Sequence, residues 1–480
     1  MKQSIVFVIV VLTFVIVAAG CSRNAPNSVS DIQTAAPTAK SISSDIESRK
    51  SFKYTITTDI TPYNQNDYKP GGILKILVAI NSVDGQYPVH YDLDCEGDGE
   101  YEYKGLTGDQ ECLYEVNSGK HQIRISGEVP AMWLCKRRNA DSKCDDNSDS
   151  VFCHFPVKPA EKEARIISID DWGDMEWKSM TWFAANCIGF DSIPKDAPNL
   201  SQVTDMSGMF AYSSFNLPLE HWDVSNVKNM HGMFDDNQIF NQPLENWDVS
   251  NVTDMGNMFF KAWAFVQPLE KWNVSNVTNM HAMFYESGYN QPLEKWNVSN
   301  VTDMGYMFYY SNFNQPLDKW DVSNVTNMKA MFGGSPFNQP INHWNVSKVT
   351  NMREMFMGHH RVGSNFNQPL DKWDVSNVTD MSMMFCDTPF NQPLENWNVS
   401  NVKKMEGMFM NASSFNQPLD KWDTSNVENM ELMFESASSF AHYPSSWVVP
   451  EGASNNMFVG TKVEKESKEK PLNTRKVRKE

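Results

Sequence analysis

The sequence predicts an α+β protein: a solenoid of about ten coils, each 24–25 residues long, preceded by a small β-sandwich. Three observations predict it. Nine tryptophans, at 222, 247, 272, 296, 320, 344, 373, 397 and 422, recur at separations of 24 or 25 residues, with a single separation of 29. Met-Phe pairs keep the same beat, from Met209-Phe210 to Met433-Phe434. Ahead of them, short segments of alternating apolar residues are punctuated by glycine turns, the pattern of strands. A repeat this short cannot bury its own apolar residues, so stacking must supply the core.

The N-terminus sets the compartment. Met1-Lys2 is a minimal charged region, and a mostly apolar run follows from Ile5 to Ala19. That run has the size of a signal-peptide core and falls short of the roughly 20 residues a membrane helix needs. Residues 1–20 are therefore read as a signal peptide. Ala18-Ala19-Gly20-Cys21 resembles the lipobox of bacterial lipoproteins, although Ala18 stands where a larger aliphatic residue is usual. The resemblance implies lipid attachment at Cys21; an ordinary secretory signal is the alternative. Residues 21–51, with Ser22, Pro26, Ser28, Ala35-Ala36-Pro37 and Ser41 to Ser44, have the composition of a flexible tether.

Residues 52–160 alternate as strands do, in Tyr54-Thr-Ile-Thr-Thr-Asp-Ile and Ile73-Leu-Lys-Ile-Leu-Val-Ala-Ile, with turns at Pro70-Gly71-Gly72 and Ser118-Gly119. Short strands over such a length suggest a β-sandwich. The stretch from Tyr91 to Tyr101 resembles the strand-and-turn signature of PKD-type immunoglobulin-like domains. Its carboxylates raise a calcium question, with Asp94, Glu96 and Asp98 as candidate ligands. The array lacks a closing Glu, since position twelve counted from Asp94 is Gly105. An acidic hairpin without metal is the reading adopted, and no cofactor is expected.

With Cys21 lipidated, seven of the eight cysteines remain, an odd number in an oxidising compartment. Cys95 and Cys112 flank the Gly97-Asp98-Gly99 turn and are candidates for one disulfide. One pair is expected among Cys135, Cys144 and Cys153, with Cys135 and Cys153 the candidates. Cys187 and Cys386 are left over as small core residues.

Residues 161–460 form the repeats with their caps, and residues 461–480 read as a disordered charged tail. Within one unit, Leu219, Trp222 and Val224 follow the apolar-x-x-apolar-x-apolar pattern of a leucine-rich-repeat strand. Ser225-Asn226 turns the chain. Val227, Met230, Met233 and Phe234 then fall at helical spacing, which predicts a short helix in every coil. The repeats resemble the BspA-like leucine-rich-repeat surface proteins in their Trp-Asp-Val-Ser-Asn-Val form. That resemblance implies a bacterial envelope protein, an adhesin for proteins of host or neighbouring cells. The Asn falls one residue early for the usual asparagine ladder of such repeats.

Two columns between Leu and Trp carry opposite charge, from Glu220 and His221 to Asp420 and Lys421, and should neutralise each other. Variation concentrates after the Met-Phe pair and in one insertion. Trp263, Tyr309, Tyr310, His359, His360 and Arg361 are the candidate partner-binding residues, because repeat proteins vary where partners are met. The tryptophans of the repeat are read as a core ladder, not a sugar platform. A net charge of −18 argues against nucleic-acid binding. The sequence contains no Gly-rich phosphate loop, His-Glu-x-x-His or Gly-x-Ser-x-Gly, so no enzyme is expected. The expected function is a lipid-anchored surface adhesin of the cell envelope, probing proteins; the alternative is a structural envelope lipoprotein for periplasmic or cell-wall components.

Overall fold

A computed structural model describes residues 51–57, 73–81, 87–115, 119–135, 165–358, 364–452 and 456–476. The chain divides into two compact units, Met1–Asp45 and Ile46–Glu480, and every described residue belongs to the second. The signal peptide, most of the tether, Cys21, Cys144, Cys153 and His359 to Arg361 lie outside the described residues.

Among the described residues, eight strands precede the repeats: β1 (Phe52–Thr57), β2 (Ile73–Asn81), β3 (His90–Asp94), β4 (Tyr103–Leu106), β5 (Gln110–Glu115), β6 (Lys120–Glu128), β7 (Ala131–Trp133) and β8 (Arg165–Asp171). They form a five-stranded sheet, in order β4-β3-β6-β1-β8, and a three-stranded sheet, β5-β2-β7. All of these pairings are antiparallel. The period-two pattern of β1 buries Phe52, Tyr54 and Ile56 together with Ile123 and Ile125 of β6. The two sheets are joined covalently, because Cys95 at the end of β3 bonds Cys112 of β5. Beside that bond the Tyr114 hydroxyl donates to the Cys95 carbonyl at 2.5 Å. Strand β8 belongs to the five-stranded sheet, although it begins beyond residue 160, where the sandwich was expected to end. Its Ser168 also bridges Ser192 in parallel, so β8 passes the sheet into the repeats.

The expected α+β, leucine-rich-repeat-like solenoid is not what the repeats form. Apart from α1 (Glu464–Glu469), which follows the repeats, the described residues contain no helix. Neither the predicted strand nor the predicted helix is present in a coil. Leu219 to Trp222 and Val224 to Val227 are tight turns, closed by Trp222 N–H to Leu219 O at 3.0 Å and Val227 N–H to Val224 O at 2.9 Å. Each coil adds one residue of parallel bridge, in a series from Asp205 through Asn229 and Asp254 to Asn429.

The Met-Phe segment explains the misreading. Its backbone enters the left-handed region at two places per coil, such as Gly232 and Asp236, or Tyr306 and Tyr310. This turns alternate N–H groups out toward the neighbouring coil. Met230, Gly232, Phe234 and Asp236 donate to Asp254, Gly256, Met258 and Phe260 at 2.7–3.0 Å. Between them, Met233 and Asp235 close local turns onto Met230 and Gly232. Turns of three to four residues bury every third or fourth side chain, as a helix does, so apolar spacing alone cannot separate the two.

Side chains cement the stack. Phe284, Phe308 and Phe332 lie 5.7 and 5.8 Å apart, nearly parallel, and Phe308 also stacks on Phe313 of its own coil at 4.0 Å. Each repeat tryptophan from Trp247 onward donates its indole N–H to the Leu or Ile carbonyl of the coil before, as Trp320 does to Leu293 at 2.9 Å. The asparagines of Ser-Asn-Val form a ladder after all, Asn324 donating to Ser299 O at 2.7 Å and Asn377 to Ser347 O at 2.7 Å.

Two further expectations are corrected. Cys135 bonds Cys187, with their Cα atoms 5.6 Å apart, whereas the sequence pointed to a partner near Cys153. The fold brings Cys187 of the first turns beneath β7, where Leu134 N–H donates to Phe183 O at 2.8 Å. Cys386 is free and buried. Residues 461–476, expected as a disordered tail, carry α1 and strand β10 (Asn473–Arg475). Strand β10 pairs in parallel with β9 (Val448–Pro450). Val463 and Leu472 are buried, so two apolar residues within the charged run suffice to seal the open end of the stack.

Two outcomes follow from this packing. Replacing Phe308 by alanine opens a void between two rings and should lower unfolding free energy by about 3–5 kcal/mol in a denaturant titration. Ser436 is exposed with φ at 61°; Ser436→Gly relieves the left-handed strain and should raise stability by about 0.5–1 kcal/mol, read as a higher Tm.

Candidate interaction face

The coil edge carrying the two charged columns satisfies itself. Lys271, Lys295, Lys319 and Lys421 pair with Glu245, Glu270, Glu294 and Glu395 of the preceding coils at 2.7–3.2 Å. The tryptophans are closed to ligands as well: Trp272, Trp320 and Trp422 are each 3% exposed. What differs from coil to coil is the turn face, the outer side chains of the Met-Phe segment and the loop after it.

On this face, counting the coil that carries Met209-Phe210 as coil 1, coils 3 to 6 build a satellite cluster of Phe260, Ala282, Tyr285, Tyr306 and Ala330, with Tyr309 packed against it. Phe260 stacks on Tyr285 at 4.4 Å, Tyr285 tilts against Tyr309 at 5.1 Å, and Tyr309 meets Tyr310 edge-on at 4.3 Å. Gly333 makes room for this, since a Cβ there would come within 2.8 Å of the Tyr309 ring. Lys261 and Lys329 lay their ammonium groups 5.3 Å from the Phe260 and Tyr306 ring centres. Burial pushes the Tyr285, Tyr306 and Tyr309 phenols above their usual range, so they stay neutral.

Coils 1 to 3 carry a polar counterpart. Tyr212 donates its hydroxyl to Asp235 at 3.0 Å. Burial pushes the Asp235 carboxyl up to about 7, against the opposing Tyr212 hydrogen bond. His231 Nδ1 lies 3.3 Å from Asp254. Burial pulls its pKa down, but the hydrogen bond and charge of Asp254 leave it raised overall.

Exposed apolar side chains gather at the loops beside these elements. Ile239 is 49%, Trp263 54% and Val266 40% exposed. Val266 also interrupts a ladder. In other coils an asparagine after the Phe or Tyr accepts from the next coil, as Asn290 does from Asn314 N–H at 2.9 Å and Asn314 from Asn338 N–H at 3.0 Å. The Val266 N–H donates to Asn241 Oδ1 at 3.1 Å, but the Val266 side chain offers no acceptor to Asn290.

Of the residues picked from sequence, Trp263 is exposed, and Tyr309 and Tyr310 touch each other within the aromatic cluster. Phe260, Tyr285 and Tyr306 were not picked. Phe260 and Tyr285 left a partial signal, since the position after Met-Phe reads Phe260, Tyr285, Tyr309 in three successive coils; Tyr306, before Met307-Phe308, left none. In the N-terminal hairpin, Asp94, Asp98 and Glu102 bring carboxylate oxygens within 4.8 Å of one another, with Glu102 in the place expected for Glu96. Asp94 already accepts the Gly97 and Gly99 N–H groups, at 2.5 and 2.9 Å, which ties it to its own turn.

Stacked turns with a uniform core and a varied outer face define a repeat protein of modular surface. The family model described as "Mycoplasma protein of unknown function, DUF285" matches residues 178–292, 286–365 and 358–470, and the chain belongs to that family. No curated protein and no solved structure matches it.

Two measurements check this face. Iodide quenching of the native fluorescence should fall in Trp263→Phe, because the repeat-ladder tryptophans are sealed and Trp133 and Trp182 are only partly exposed. Val266→Asn restores the ladder acceptor and should raise stability by about 0.5–1 kcal/mol.

Proposed function

We propose that this protein is a lipid-anchored envelope protein that binds a protein partner through its turn face, an adhesin and not a catalyst. The observation that carries the reading is the composition of coil 3. It exposes Trp263 and Val266 and forgoes a ladder hydrogen bond that eight neighbouring steps of the same column support. A repeat offers its own control: where one coil departs from the rest at a cost in stability, function is the usual reason. Tryptophan is also enriched among the residues that anchor protein interfaces.

The anchor rests on the apolar run from Ile5 to Ala19 and the Ala18-Ala19-Gly20-Cys21 sequence. The resemblance to BspA-like surface proteins supports an outward-facing position.

The test uses the producing cells. Fatty-acid label should enter the wild type and be lost in Cys21→Ala. Protease added to intact cells should remove the repeats. Trp263→Ala and Val266→Asn cells should attach about tenfold less to protein-coated surfaces, with normal amounts of folded protein. Repeats that survive protease until the envelope is broken, or unimpaired attachment by both variants, would overturn the reading.

A further inference from the structure

Valine at position 266 removes an acceptor from the outer ladder but leaves the donors that reach for it. The ladder is in register on both sides of this step. Val266 N–H donates to Asn241 Oδ1 at 3.1 Å, and Asn314 N–H donates to Asn290 Oδ1 at 2.9 Å. Coil 4 therefore aims Asn290 N–H at the Val266 side chain, as coil 6 aims Asn338 N–H at Asn314. The glutamine that follows joins the same acceptor in other coils. Gln315 Nε2 donates to Asn290 Oδ1 at 3.2 Å, and Gln339 Nε2 donates to Asn314 Oδ1 at 3.0 Å. Among the described residues, nothing accepts from Asn290 N–H or from the Gln291 side-chain amide. Asn290 is exposed, whereas Asn241, Asn314 and Asn338 of the same column are half-buried.

Apolar surface borders these donors. A valine side chain ends at Cγ, so the position that Oδ1 fills in the other coils stays open to whatever meets the face. Val266 and Trp263 beside it are both exposed. Gly288 of coil 4 lies against them: a Cβ there would run into the Trp263 carbonyl oxygen and stand 3.9 Å from Val266 Cγ1. The next two coils carry Asn312 and Pro336 at this loop position. Coil 4 thus lays no side chain over Val266 from the place where its neighbours have one.

We propose that the partner of this face is an extended peptide segment whose main-chain carbonyl takes the place of the missing asparagine oxygen. The carbonyl accepts from Asn290 N–H and Gln291 Nε2, and an adjacent apolar side chain packs on Trp263 and Val266 above Gly288. This rests on the reading of coil 3 as a protein-binding coil and names what that coil recognises. Two N–H donors beside apolar surface complement a neutral carbonyl next to a hydrocarbon side chain, which an extended peptide offers at every apolar residue. A carboxylate would also suit the donors, but the net charge of −18 opposes an anion. The ladder on either side already holds the donors in place, so binding requires little ordering.

N-acetyl-leucine N-methylamide is the minimal probe, titrated into the isotope-labelled chain from Ser22 onward and followed by NMR. It should shift the Asn290 amide, the Gln291 side-chain amide and the Trp263 indole together, with a Kd on the order of 10 mM. N-acetyl-leucine, which ends in a carboxylate, should bind about threefold more weakly. Val266→Asn supplies the acceptor from within the chain. Its Asn290 amide proton should lie downfield before any probe is added, and the probe should bind about tenfold more weakly. Trp263→Ala should weaken the probe to a similar degree. No joint response of the three groups up to about 100 mM probe, undiminished binding by Val266→Asn, or tighter binding of the carboxylate overturns the proposal. These outcomes are separable from the cell assay. Attachment that depends on Trp263 and Val266 without a response to the probe keeps the adhesin and removes the carbonyl. A response to the probe without any effect on attachment keeps the site and removes the adhesin.

Discussion

A coil made only of turns cannot satisfy its own backbone, and this constraint governs the repeats. A helix closes its hydrogen bonds within itself; here alternate N–H groups of Met230 to Asp236 reach the next coil. Each coil is therefore completed by its neighbour, and an isolated repeat would expose both its apolar residues and its unpaired carbonyls. The same logic explains the ends. Trp222 is the first repeat tryptophan, and its buried indole N–H has no partner in the irregular turns before it. At the other end Trp447 still bonds Leu419, and β9 with β10 finishes the stack.

Because inner positions are held by both packing and hydrogen bonds, they admit little change. Phe, Met, Trp and Val therefore repeat almost without variation. Outer turn positions owe the stack only their backbone, so they can carry Asp235 in one coil, Phe260 in the next and Gly333 three coils further on. The left-handed positions add a limit: they accept Gly, Asn, Tyr or Lys, at a cost, but in none of the described coils a β-branched residue. The stack thus separates a stability code facing inward from a surface code facing outward, and a binding face can change while the core is kept.

Much of this was legible in the sequence. The period, the buried tryptophans, the opposed charge columns and the variable positions after Met-Phe all follow from side-chain recurrence. The type of backbone did not. Val227, Met230, Met233 and Phe234 have helical spacing, and only φ at Gly232 and Asp236 distinguishes stacked turns from a helix. Cys187 was out of reach because its partner is 52 residues away in sequence, across two elements whose contact depends on the fold. At the face, Trp263, Tyr309 and Tyr310 stood out as aromatic side chains in loops. Phe260, Tyr285 and Tyr306 were missed because their meaning lies across coils, where they meet one another. The charge of the C-terminal run masked Val463 and Leu472, two residues that dock it.

The most direct test of the stacked-turn account is backbone NMR of the chain from Ser22 onward, read over Val325 to Gly334. The account predicts right-handed shifts broken by left-handed residues at Ala330 and Gly334, with amide protons of alternate residues protected by the following coil. An unbroken run of helical shifts through that segment, with successive amides protected locally, would contradict it.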